Sequence, residues 1–552
     1  MIFSDRSTGY RLAWVVLLTT ALFGCGGGGG DGDSTASGSA TIDDIISGAA
    51  RLALDDPSAP FTDLPTGVTA VTVNSPPVVN FTIKTTDGRV VSGLTTEQIQ
   101  MAFAKLIPGT EGNQSVPGSG ESAQWVNYIY RLKTSTTFPD GVWQATTDTP
   151  GSLVFNAAGG YYTYTFSTDV TTATLPDTNT LIWDETATHR VAVQLQIRDA
   201  NGATVAVANP YYDFTFDTNG GSVPADADET HVVVHRDSCN ECHNRLVKHG
   251  GGRVDPQYCV LCHNPGTTDA VTGGVLDFKV MMHKIHAGRY LEFGYQTGDF
   301  TGEELLDYSD VGFPQDLRNC SKCHDGSDAD SEGNLLTPQG DNWMTKPTQQ
   351  ACGACHDDED FNDHENFDFI ADDGTLDNSE CDRCHVRGGS GNSQNTETVE
   401  NAHWNQLEES AKNYQFNIED VVYDPGTRQV TVGYSVTNPN DGTTYDLTED
   451  CGGSCTSDAR FFNLRLYVAS LSLLGAPNTI ADYTHIVNDR AINGTDDGSH
   501  HYTLTLPALP DTSVAQSHGT ARVVSIGQVR EAEVTSPGSG SGSGTTDPAT
   551  LL

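Results

Sequence analysis

CNECH (Cys239–His243), CVLCH (Cys259–His263), CSKCH (Cys320–His324), CGACH (Cys352–His356) and CDRCH (Cys381–His385) repeat one pattern, Cys-x-x-Cys-His, five times in a single stretch. This spacing is the attachment signature of c-type haem. The two thiols stand about one helical turn apart, so both reach the vinyl groups of one porphyrin, and the His that follows meets the iron as its proximal ligand. Zinc is the competing reading. Structural zinc takes two Cys pairs per metal, but five pairs is an odd number, and zinc does not require a His after every second Cys. The pattern therefore predicts five c-type haems and, with them, movement of single electrons.

Five proximal histidines, His243, His263, His324, His356 and His385, leave five sixth positions on the irons. The same segment holds five more candidates, His249, His283, His286, His364 and His403. His283 and His286 lie at i and i+3 in MMHKIHAG, a helical spacing that aims them towards two neighbouring haems. His249 follows His243 by six residues and is expected to cross to a different haem, because the opposite face of its own is hard to reach. His231 and His235 are spares. Met281, Met282 and Met344 would raise a potential if they bound iron, but the His count leaves no need for them. His189, His485, His500, His501 and His518 fall in β-patterned regions and read as structural or surface residues.

Outward from the motifs, the 552 residues suffice for three or four domains. Residues 46–230 read as strands: Pro77–Ile83 is apolar, Gly160–Phe166 is rich in aromatics and threonine, and Val191–Ile197 alternates with period two before an Asn201-Gly202 turn into Ala203–Ala208. Residues 231–405 show little strand pattern, as expected where porphyrins supply the apolar core. Residues 406–533 return to β with Gln429–Val436, Phe461–Ser472 and Tyr502–Leu506. The predicted fold class is mixed and multidomain: a β-sandwich or split-barrel domain, a loop-rich α pentahaem domain, then a second β-barrel-like domain. A flexible tail, 534–552, follows.

The amino terminus reads as an export signal, residues 1–24, with Arg6 and Arg11 before the apolar stretch Leu12–Phe23. Leu22-Phe23-Gly24-Cys25 resembles a lipobox, which predicts lipidation at Cys25 and a Gly-rich tether over 25–45. Ten of the thirteen cysteines belong to the motifs; Cys451 and Cys455 remain and are expected to form a disulfide in an exported protein. Net charge is −44, and within 236–405 only 12 Lys and Arg stand against 31 Asp and Glu, which argues against nucleic-acid binding. Asp328, Asp330 and Glu332 resemble the start of a calcium loop. However, Gln339 stands where an EF-hand carries Glu, so a solvated acidic turn is the alternative.

CNECHNRLVKHGGGR, CVLCHNP and DFKVMMHKIHAG, together with PVVNFT, AKLIPG and THRVAVQ, resemble the OmcA/MtrC family of bacterial outer-membrane multihaem cytochromes. The resemblance implies a surface lipoprotein that accepts electrons from a porin–cytochrome conduit or other cytochromes. It would pass them to extracellular metal oxides or flavins, with a disulfide in the second β domain beside a proposed flavin site. Family members typically carry ten haems; this chain matches one pentahaem half. No conventional catalytic site is expected, although action as a terminal metal reductase stays open. Two other readings remain. A nitrite-reductase-type enzyme needs an open iron, often marked by CxxCK, which is missing here. A structural subunit of a conductive surface assembly would use the flanking β domains for contacts.

Overall fold

In the computed structural model the described residues are 13–14, 39–73, 75–109, 122–148, 151–173, 182–243, 245–298, 304–330, 333–361, 378–386, 398–403, 412–449, 451, 455, 459–472, 482–510 and 521–527. The chain divides into two compact units, Asp31–Ala402 and a second built of Met1–Gly30 with His403–Leu552.

The first unit begins as a pair of antiparallel sheets. One orders β5 (Ser152–Asn156), β6 (Tyr161–Thr165), β2 (Pro77–Phe81) and β1 (Val71–Val73). The other orders β10 (Ser222–Pro224), β9 (Tyr211–Phe216), β7 (His189–Arg198), β3 (Ile99–Ile107) and β4 (Gln124–Asn127), with β8 (Thr204–Ala208) paired to the far end of β7. Both sheets contribute to one core, in which Phe81, Tyr162 and Tyr164 meet Phe103, Val191, Val193 and Phe214. This is the sandwich alternative; among the described residues no sheet closes into a barrel.

Strands β3 and β7 are buried on both faces, and their sequences show why. Met101, Phe103, Val191, Val193, Leu195 and Ile197 point into the sandwich core. The alternate residues Ala102, Ala104, Leu106 and Ala192 form a second cluster with Trp125, Tyr258 and Leu261. Successive strand residues face opposite ways, so the small alanines on the reverse face let the haem-motif segment pack directly on the sheet.

That segment is loop-rich with short helices: α1 (Arg236–Asn240), α2 (Pro256–Cys259), α3 (Phe278–Ala287), α4 (Gln349–Cys352) and α5 (Asn378–His385). Asp255 caps α2 by accepting from Gln257 N at 2.9 Å, with Pro256 at the first helical position. Asp277 caps α3 by accepting from Lys279 N at 2.9 Å. None of the helices among the described residues is long and apolar enough to cross a membrane.

The second unit is again two antiparallel sheets. The first orders β11 (Gln415–Asp424), β12 (Gln429–Thr437), β16 (Tyr502–Thr505) and β15 (Thr495–Asp496). In the second, β13 (Arg465–Ser472) lies between β14 (Asp482–Arg490) and β17 (Ala521–Gly527). Val432, Tyr434, Tyr502 and Leu504 share a core with Leu466, Val468 and Val523. The strand expected from Phe461 starts only at Arg465. Phe461 and Leu464 are buried in that core from a turn, so their apolar character reflects burial, not pairing.

Candidate functional site

Four of the five Cys-x-x-Cys-His motifs close the same turn. The backbone N–H of His243, His263, His324 and His356 donates to the carbonyl of the motif's first Cys at 2.9, 3.0, 3.0 and 2.8 Å. The fifth motif lies within α5. One helical turn puts residues i and i+3 on one face, so the two thiols of a motif stand together with the His just beyond. The disulfide joins Cys451 to Cys455 and draws on none of the ten motif cysteines.

Among the described residues, three motif histidines face a second imidazole. His243 faces His286, His263 faces His249, and His324 faces His283, each pair with ring centroids 6.0 Å apart. Metal–imidazole bonds of about 2 Å put the rings of two histidines on one iron about 6 Å apart between centroids. The three pairs match that spacing although they come from three different sequence separations. His286 Nδ1 lies 2.8 Å from Met282 O, and His263 Nδ1 lies 2.8 Å from Leu276 O. A proton on Nδ1 donated to these carbonyls leaves Nε2 with its lone pair outward, the tautomer a metal needs.

The electrostatics agree. Burial pushes His263 and His324 down to about 4 and His283 to about 3. Desolvation first, then the Arg253 guanidinium, also disfavours the imidazolium of His249, although that residue keeps an exposed surface. All are therefore neutral at physiological pH, and only neutral imidazole ligates. His283 Nδ1 and His324 Nδ1 are buried without a hydrogen-bond partner. The donor set, the pairing distance and the neutral protonation state together fit c-type haem.

Helix α3 carries both His283 and His286, so it serves the third and the first motif at once. Lys322 of the third motif reaches Glu241 of the first. The fourth motif leans on the same helix: Lys279 Nζ donates to Thr348 Oγ1 at 3.2 Å, and Lys284 Nζ lies 3.9 Å from Asp357 Oδ2. The second motif lies on the reverse face of the sheet and meets α3 at its first residue, where Phe278 N donates to His263 O at 3.0 Å. Arg190, fully buried, forks onto Asp213 at 2.5 and 2.6 Å and donates through Nη1 to Gln257 O and Oε1, both at 3.0 Å. Its guanidinium lies 4.3 Å from the Trp125 ring centroid and 4.5 Å from that of Tyr211. Asn127 and Asn264 lock the motif from the other side: Asn127 N donates to Asn264 Oδ1 at 3.0 Å, and Asn127 Nδ2 to Leu261 O at 2.7 Å.

Other candidates find other surroundings. His231 is half-buried beside Ser122, and His235 caps α1 by accepting from Asp237 N at 3.3 Å. Asp330 accepts from Asn334 N and Nδ2 at 2.8 and 2.9 Å. Cys25, Glu332 and His364 lie outside the described residues. Sequence reasoning missed Arg190, Asn127 and Asn264. The signal available was an arginine and an asparagine inside otherwise apolar strands.

Residues 231–403 match the family model for domains II and IV of outer membrane cytochromes of the MtrC/MtrF type. The multiheme cytochrome MtrC of Shewanella baltica (strain OS185) is 30% identical over 326 residues, which cover 57% of this chain and 39% of that protein. Residues 231–403 are therefore a domain of the MtrC/MtrF-like outer membrane cytochrome type. The chain spans well under half the length of the MtrC relative it matches. Among solved structures, the outer membrane decaheme cytochrome OmcA aligns over 88% of this chain and 69% of its own at 19% identity and a TM-score of 0.48. MtrC from Shewanella baltica OS185 aligns over 88% and 67% at 22% identity and a TM-score of 0.42. The matched stretch, 231–403, contains all five Cys-x-x-Cys-His motifs and the three imidazole pairs.

Proposed function

We propose that this protein is a lipid-anchored, cell-surface cytochrome that carries electrons through five c-type haems to extracellular acceptors, metal oxides or flavins. The observation that carries the reading is the set of three imidazole pairs, each joining a motif histidine to a histidine from elsewhere at the separation one iron requires. Bound haem supplies a one-electron iron couple. The chain's own residues do the rest. Cys239 and Cys242, Cys259 and Cys262, Cys320 and Cys323, Cys352 and Cys355, and Cys381 and Cys384 attach the porphyrins. His243, His263, His324, His356 and His385 would each ligate the iron of the haem their own motif attaches. His286, His249 and His283 would supply the second imidazole to the first, second and third irons, and His364 and His403 would serve the remaining two. Electrons would arrive from a porin–cytochrome conduit or a partner cytochrome, and Cys25 would hold the protein at the outer membrane. The carboxylates of Asp328, Asp330 and Glu332 would admit calcium as an accessory ion.

Low-temperature EPR and visible spectra, with and without carbon monoxide, test this reading. Five low-spin haems that ignore carbon monoxide support full bis-His ligation. A high-spin haem that binds it marks an open iron and moves the reading towards a reductase.

A further inference from the structure

Strand β7 reads HRVAVQLQIR, and its core-facing residues leave Arg190, Ala192, Gln194, Gln196 and Arg198 on the opposite face. Every one of these five touches the second motif or the loop that carries its facing histidine. Arg190 holds Gln257, two residues before Cys259, and Ala192 packs with Tyr258 and Leu261. Gln194 Oε1 accepts from Arg253 Nε at 3.1 Å. Gln196 Nε2 and Arg198 Nη2 both donate to Gly250 O, at 2.9 and 2.6 Å.

The loop they grip, Lys248–Arg253, has a conformation that needs holding. His249, Gly250 and Gly251 run through left-handed φ values of 50, 68 and 89°, and a non-glycine residue keeps such a backbone only where its surroundings impose it. A Cβ on Gly252 would lie 2.4 Å from Gln194 Nε2, so the loop is seated as closely as backbone allows. Asn209, at the end of β8, completes the grip: it donates to Gly252 O at 2.9 Å and accepts from Val254 N at 2.7 Å.

We infer that the polar face of β7 positions both axial histidines of the second-motif haem, so that the N-terminal β domain sets the ligation of this one haem. Gln196 and Arg198 are positioning residues that act through the Gly250 carbonyl on His249, while Arg190 acts through Gln257 on the turn that presents His263. The inference rests on the bis-His reading above. It makes the β domain part of one haem site: His249 rides on a loop held by β7, whereas His283 and His286 ride on α3.

The test uses the full-length holoprotein with Gln196→Ala/Arg198→Ala, Gly252→Val and, for comparison, His249→Ala, read by EPR and by carbon monoxide titration. The expected result is that the first two variants alter one haem in five, through a shifted low-spin signal or a carbon-monoxide-reactive fraction of one fifth. The other four signals should stay unchanged, and Arg198→Lys should retain the native spectrum. Five unchanged low-spin signals in Gln196→Ala/Arg198→Ala and Gly252→Val, beside an opened iron in His249→Ala, overturn the positioning role and leave the ligation standing. No opened iron in His249→Ala overturns the ligation itself. Loss spread across all five haems shows a general folding role and also overturns the inference.

Discussion

Acidification should destabilise the N-terminal β domain through one side chain, His189, which has no place in the haem sites. It is fully buried and stacked with Trp183 at 4.5 Å between ring centroids, with Phe103, Tyr128 and Phe214 around it. Burial pushes its pKa from 6.5 to about 4; Asp184 opposes that shift and Lys105 adds to it. The sign follows from which state binds the proton. The unfolded imidazole is protonated below pH 6.5 and the folded one only near pH 4, so its contribution is complete above pH 6.5 and lost as pH falls through that window. At 1.36 kcal/mol per pKa unit, a shift of about 2.5 units corresponds to roughly 3 kcal/mol, most of it gone by pH 4.5. The assay is urea unfolding followed by far-UV circular dichroism at pH 7.5, 6.5, 5.5 and 4.5, for the wild type and His189→Phe. Carboxylates and the half-buried His231 titrate in both proteins, so the difference between the two curves isolates His189. At pH 7.5 the variant should be the weaker protein by about 1–3 kcal/mol, because the Tyr128 hydroxyl loses His189 Nε2 at 3.2 Å. By pH 4.5 the wild type should have lost about 2–3 kcal/mol more than the variant. Parallel curves across the window would refute the argument that this imidazole is held neutral by the aromatic core.

Three further outcomes follow from the same geometry. Arg190→Met leaves Asp213 buried without its guanidinium and should cost about 3–5 kcal/mol by calorimetry; a loss under about 1 kcal/mol would mean the ion pair is relieved by solvent. His286→Ala and His283→Ala should each make one haem in five reactive to carbon monoxide, and the double substitution two in five; no reaction in either single variant counts against the pairings with His243 and His324. Cys451→Ser/Cys455→Ser opens a disulfide spanning a separation of four residues, for which loop entropy gives about 2 kcal/mol; an unchanged urea midpoint for the C-terminal unit would show the bridge stabilises nothing.

What the sequence reveals and what it hides divide along physical lines. The Cys-x-x-Cys-His turns are local, because covalent attachment of one porphyrin demands both thiols and the His within one helical turn. Strands β12 and β16 are legible because a half-buried strand repeats every two residues, and β7 because its apolar and polar residues alternate between two buried faces. The partner of each imidazole is not local. His249 lies six residues after His243 yet faces His263, because Gln196 and Arg198, some fifty residues upstream, fix the shape of its loop. The alternation in HRVAVQLQIR betrays two faces but not what the polar one holds. Sequence pattern tells inside from outside; it cannot separate a face turned to water from one turned to another part of the same unit. The apolar run from Phe461 misleads for a related reason: burial in a turn and burial in a strand draw on the same residues.

The two organising elements differ in period, and this explains the grouping of the sites. A helix presents i and i+3 on nearly one face, so α3 can serve two irons at once, and it draws the first and third motifs together. They touch through Glu241 and Lys322 although the second motif intervenes in sequence. Thr348 and Asp357 bring the fourth motif to the same helix. A strand presents every second residue along an extended line, so β7 can grip one site at several points but cannot gather several sites. The second site is therefore the one most firmly tied to a β domain, and the three on α3 depend on a single helix of ten residues. A kink in α3 should disturb the first, third and fourth sites together and spare the second. Met282→Pro, near the middle of α3 and beyond the first turn that meets His263, separates the two arrangements in one spectrum. Concerted change in three haem signals, with the second preserved, is the expected pattern. A change confined to one signal would mean that α3 does not hold these sites in common.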